Sequence, residues 1–213
     1  MRAWFLTVTA AEALGFAVPA MAGAVTADAP VAVVLTVVPL AGAVEGAVLG
    51  AGQAVVLRRA LPHLPVRRWI AMTSVAAAVA YLVGLAPSAA VQVWSGWPAA
   101  VSIAVAVVLG AVLLASIGTA QWLILRGYVP RAGRWIVATA VAWVAGLGVF
   151  LIFTMPLWRP GAPLAFTVAV GVVGGLLMAA TTAAITGLAL RRLLAFPQLV
   201  KASTASATSA SVL

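Results

Sequence analysis

Six apolar runs, at residues 4–26, 31–57, 69–85, 99–125, 135–156 and 164–190, occupy most of this chain, with only short connections between them. A helix of about 20 apolar residues crosses a hydrocarbon core of about 30 Å, so each run is long enough, or nearly so, to span a membrane. The composition agrees. Of 213 residues, 65% are hydrophobic and 7% charged, where a soluble domain carries roughly a quarter charged residues. The expected fold is all-α, a six-helix transmembrane bundle.

The charges fix an orientation. Twelve Lys and Arg stand against three acids, and eleven of the twelve bases fall on one side of the six runs. They are Arg2, then Arg58, Arg59, Arg67 and Arg68, then Arg126, Arg131 and Arg134, then Arg191, Arg192 and Lys201; only Arg159 lies opposite. Basic short loops stay in the cytoplasm, so both termini are expected there, in a cytoplasmic membrane. A clustered basic face on a soluble chain would suggest nucleic acid. Bases dispersed between apolar runs suit anionic lipid headgroups instead, each adding about 1 kcal/mol near the surface. That role is expected of Arg58, Arg59, Arg67, Arg68, Arg126, Arg131, Arg134, Arg191 and Arg192, and nucleic acid is not an expected partner. Trp4, Trp69, Trp122 and Trp135 are expected at the inner interface, and Trp94, Trp97 and Trp158 at the outer one. A rival for the first run is a signal peptide, with "PAMAGAVTADA" as its cleavage region, although Glu12 interrupts the apolar stretch.

The runs pair into three similar units. A basic residue closely precedes Trp4, Trp69 and Trp135, and each unit closes on Leu-Arg, at Leu57-Arg58, Leu125-Arg126 and Leu190-Arg191. The opening tryptophans are 65 and 66 residues apart and the closing arginines 68 and 65. One transmembrane domain, residues 1–197, made of three tandem hairpins (1–61, 66–130 and 131–195), is therefore expected. Every unit begins and ends on the same side, so the copies are parallel. Residues 198–213, with the low-complexity "KASTASATSASVL", are expected to form a disordered cytoplasmic tail.

Equivalences continue inside the units. Sixteen residues before the closing arginines stand Gly42, Gly110 and Gly175; eight before, Gly50, Gly118 and Ala183; five before, Gln53, Gln121 and Thr186. Small residues at four-residue spacing let helix backbones approach where lipid supplies no hydrophobic drive. Gly42, Gly46 and Gly50, with Gly110 and Gly118, and Gly171, Gly175 and Gly187, are thus expected at helix contacts. Gln53 and Gln121 are expected to bond to neighbouring helices. The segments "GAVLGAGQAVVLRR" and "GTAQWLILRG", each followed by a basic residue and "WI", resemble the repeated "QWLVLR" hairpins of uncharacterised multi-pass bacterial membrane proteins. The resemblance covers about residues 42–142. It implies a bacterial membrane location and carries no activity with it.

Two ionisable residues lie deep in the runs, Glu12 and Glu45, where a charge costs several kcal/mol and marks a functional candidate. At 1.5 Å per residue they differ in depth by less than about 10 Å. No Lys or Arg lies within any run, so each carboxyl must stay protonated or be offset by a cation, water or a partner subunit. The same unit holds Pro19 and Pro39, which free helical carbonyls. Glu12 and Glu45 could relay a proton or cation, with Thr9, Thr36 and Gln53 as neighbours, or serve as hydrogen-bonding glue between helices.

The inventory excludes much else. Cysteine is absent, His63 is the sole histidine and Asp28 the sole aspartate, so no metal site, hydrolytic triad or aspartyl dyad can be assembled. No phosphate-binding loop is present. With so thin a polar inventory, a non-enzymatic interaction or accessory membrane component is expected, with no cofactor and with a membrane-protein partner or homo-oligomer. The alternative is a small proton- or cation-linked transporter or channel using Glu12 and Glu45.

Overall fold

The computed structural model describes residues 1–159 and 161–210, and side chains up to residue 195. The chain is all-helical over the described residues: α1 (Arg2–Val25), α2 (Val31–Ala60), α3 (Val66–Ala89), α4 (Val91–Trp94), α5 (Ala99–Leu125), α6 (Arg134–Thr154) and α7 (Leu164–Ala210). Six of these are long and apolar enough to cross a membrane, α7 over Leu164–Ala195, which makes the chain compatible with a multi-pass membrane protein. The seventh, α4, is one turn between α3 and α5. The expected disordered tail, 198–213, falls beyond the described side chains, and its last three residues beyond the described backbone.

Helix limits follow local chemistry. Prolines stand just before α2, α3 and α5, as Pro30, Pro65 and Pro98, where a ring that blocks the preceding turn sets a start. Inside α1, α2 and α3 are Pro19, Pro39 and Pro87. Pro87 corrects one expected boundary: α3 was expected to stop near residue 85, yet the helix runs on to Ala89. A proline removes only one hydrogen bond, and near a helix end that loss is small.

Each long helix packs on its neighbours in the chain, and α7 returns to pack on α1, so the order of contacts closes on itself. Large apolar side chains point outward around this arrangement, among them Leu14, Val25, Ile152 and Leu164, each more than 70% exposed. A water-soluble protein rarely exposes so continuous an apolar surface, whereas lipid covers it without cost.

The largest buried cluster sits at the arginine-bearing end. It joins Trp4, Leu57, Trp69, Leu125, Trp135 and Leu190 from the long helices with Leu64, Val129 and Ala132 from the connecting segments. Across those segments the Tyr128 hydroxyl donates to the His63 carbonyl at 3.0 Å.

Candidate functional site

Two polar groups lie inside the protein at different places. The first is a layer of tryptophans and their acceptors in the arginine-end core. Trp69 Nε1 donates to Gln53 Oε1 at 3.3 Å, Trp135 Nε1 to Gln121 Oε1 at 2.8 Å, and Trp4 Nε1 to Thr186 Oγ1 at 3.2 Å. Each indole from the start of α3, α6 or α1 thus meets a polar residue of the preceding long helix, five positions before its closing arginine, with α7 preceding α1 around the closed order. Gln121 Nε2 also donates to Gln53 Oε1 at 2.7 Å and to Thr73 Oγ1 at 3.1 Å. A buried indole N–H needs an acceptor, and here all three have one.

Trp4, Trp69 and Trp135 are at most 2% exposed, in the cluster beside the closing arginines. Their rings turn into the core, where each N–H finds a partner within the protein. Trp122 is half-buried and carries the Arg126 guanidinium 5.2 Å above its ring, a cation–π contact.

The second group is a set of carboxyls. Glu12 on α1 is wholly buried beside Glu45 on α2, itself 4% exposed. Their backbones meet closely because Gly15, one turn after Glu12, lies against Glu45: a Cβ there would stand 3.1 Å from the Glu45 carbonyl oxygen. The Tyr81 hydroxyl on α3 donates to Glu45 Oε2 at 2.7 Å, and the Tyr81 ring lies directly on Gly42. No donor among the described residues reaches either Glu12 oxygen, so only a proton held between Glu12 and Glu45 would pair them. A buried polar group without a partner costs about 1–3 kcal/mol and calls for an explanation.

Glu45 and Tyr81 form part of the wall of a cavity of about 360 Å³, to which all six long helices contribute. The rest of the wall is apolar. Phe16, Tyr81 and Leu147, each twelve residues after an opening tryptophan, line it together. So do Glu45, Leu113 and Met178, each thirteen residues before a closing arginine. Trp143, deep in α6, also borders it.

The residues singled out from sequence therefore separate. Gln53 and Gln121 belong to the tryptophan layer, Glu45 to the cavity wall, and Glu12 to the buried interior beside Glu45. Thr36 bonds within its own helix, to Ala32 O at 2.8 Å, and Thr9 has no hydrogen-bond partner, so neither serves the carboxyls. Among the glycines, an added Cβ would press on α3 at Gly46 and Gly50, on α6 at Gly118 and on Trp4 at Gly187, and would meet Phe16 at ordinary contact distance from Gly175. At Gly110 and Gly171 it would meet nothing within 4 Å.

Tyr81 escaped the sequence reading. Its signal was present: it is the one tyrosine within an apolar run, since Tyr128 lies in a connection. No family model, curated protein or solved structure matches the chain.

Proposed function

We propose that this is a small carrier of a bacterial cytoplasmic membrane that binds a proton or a small apolar cation in the central cavity, at Glu45 with Glu12 behind it. Three parallel hairpins, 1–61, 66–130 and 131–195, enclose the cavity, with both termini on the cytoplasmic side. The cyclic tryptophan bonds and the equivalent positions of the cavity residues support this arrangement. The observation that carries the function is the carboxyl pair. Two carboxyls lie side by side, Glu45 in an apolar wall and Glu12 buried behind it, no Lys or Arg occurs in the helices at their depth, and only a proton shared with Glu45 would give the Glu12 oxygens a partner. A shared proton or an incoming cation is what such a pair lacks. The apolar remainder of the wall would favour a solute whose charge is clothed in hydrocarbon, and aromatic faces such as Trp143 would add cation–π attraction. No catalytic residue, metal or cofactor is assigned.

The test is binding and flux of tetrapropylammonium by purified protein in liposomes under an imposed pH gradient. The unaltered protein is expected to bind the probe and move it against the proton gradient. Glu45→Gln, which keeps shape and removes the charge, is expected to abolish both. Only an ionised carboxylate pairs with the cation, so binding should weaken as pH falls. Flux through the Glu45→Gln and Glu12→Gln proteins as great as through the unaltered protein would refute the carrier reading.

A second reading, the non-enzymatic accessory component, draws on α5. Its membrane segment is the least buried of the six, and Val101, Ile103, Val107 and Val108 stand exposed on it. This reading expects a membrane-protein partner, or a second copy of the chain, that stays bound through detergent and is released by Val107→Asn and Val108→Asn.

A further inference from the structure

A second cavity, also about 360 Å³, opens at the arginine-bearing end between α6 and α7. Three guanidinium side chains border it: Arg131 from the α5–α6 connection, Arg134 from the first turn of α6, and Arg192 from α7. Below them the wall is apolar, with Val137 and Ala138 one turn after Arg134, and Ala189 one turn before Arg192. Charge gathers at the mouth, and the hydrocarbon strip continues along two membrane-spanning helices.

No Asp or Glu side chain stands beside Arg134 or Arg192. The three acids are Glu45, on the wall of the central cavity, Glu12, buried beside it, and Asp28, in the connection at the far ends of α1 and α2. Arg131 is also the one non-glycine residue with positive φ among those described, at 59°, a conformation that a long side chain adopts at some cost. The position before the opening tryptophan is Ala3, Arg68 or Arg134, and the one after the closing arginine is Arg59, Gly127 or Arg192. Within a hairpin only α6 and α7 carry a base at both; Arg59 and Arg68 make a similar pair between α2 and α3, across two hairpins.

We propose that this cavity binds the phosphate of an anionic phospholipid, with Arg134 and Arg192 as paired donors and an acyl chain along Val137, Ala138 and Ala189. Guanidinium matches phosphate in shape as well as charge, and basic pockets between helices on the cytoplasmic side suit such headgroups.

Native mass spectrometry of the full chain from detergent, titrated separately with phosphatidylglycerol, phosphatidylcholine and inorganic phosphate, tests it. One phosphatidylglycerol is expected to bind most tightly. In the Arg134→Ala/Arg192→Ala protein its affinity should fall about thirtyfold, near the loss of two surface bases. The Arg58→Ala/Arg59→Ala protein removes the same charge at the end of α2 and should keep that site. Arg134→Lys/Arg192→Lys, with helicity checked by circular dichroism, retains the charge and should recover part of the affinity, separating loss of binding from loss of fold. Equal losses in the two alanine pairs, or binding of phosphatidylcholine to the same extent, would overturn the site. Inorganic phosphate binding as tightly as phosphatidylglycerol would overturn the lipid as its occupant.

Discussion

The tryptophan layer and the carboxyl pair occupy the same helices, yet they treat polar atoms in opposite ways. In the layer all three indole N–H groups, and the Gln121 amide between them, have partners. At the pair, both oxygens of Glu12 are buried with no donor among the described residues other than a proton shared with Glu45. The layer uses similar residues at equivalent positions: three tryptophans, two glutamines and a threonine. The pair breaks equivalence, since Leu113 and Met178 stand where the first unit has Glu45. Satisfied and repeated polar groups hold helices together, whereas an unsatisfied, unrepeated one is retained at a cost to stability. Function is therefore sought at the break in the pattern. Substitutions that alter packing, the layer or the pair can break or sharpen this contrast.

The largest effect is expected where helices touch most closely. A Cβ at Gly46 would stand 2.6 Å from the Ala77 Cβ and 2.7 Å from the Thr73 carbonyl oxygen, so α3 would have to move as a backbone. Gly46→Val is expected to destabilise by about 3 kcal/mol, the upper end of ordinary overpacking. Gly110→Ala, with open space around it, is expected to cost nothing. Unfolding of both proteins in mixed micelles measures the difference, and equal stabilities would remove close helix approach as the cause.

Gln121→Leu comes next. Its side chain makes three hydrogen bonds and is fully buried. Interhelical bonds in membranes average about 0.6 kcal/mol each, and the Trp135 N–H would be left without an acceptor, so a loss of about 2 kcal/mol is expected. The same unfolding assay reads it, with Trp135 fluorescence reporting the orphaned indole. A change under about 0.5 kcal/mol would reduce the layer to a coincidence of spacing.

Much of the fold was legible because apolar length is a local property. The expected run 99–125 coincides with α5, and 31–57 differs from α2 by one turn at its end. The glutamines and tryptophans were each legible as recurring residues, but their pairing was not. Trp4 and Thr186 are 182 residues apart, and only closure of α7 on α1 brings them together. The cavity was hidden for the same reason, since it is a property of six helices at once. Tyr81 stands alone in an Ala- and Val-rich run, where nothing periodic marks a hydroxyl aimed at a glutamate on another helix. The two glutamates were legible individually through the cost of charge in lipid, and their depths already placed them near one level.

The smallest expected change in stability carries the opposite sign. Glu12→Met keeps the length of the side chain and replaces two partnerless oxygens by an apolar end in the same buried space. Where a buried polar group has no hydrogen bond, an apolar group of similar shape is neutral or better, and a gain of about 1 kcal/mol is expected. The same substitution removes one member of the carboxyl pair, so tetrapropylammonium binding should weaken in the protein that has become harder to unfold. This opposition distinguishes a residue kept for binding from one kept as glue, because glue would lose stability on substitution. Glu12→Met that unfolds more easily and still binds the probe would assign Glu12 to the scaffold, alongside the tryptophan layer.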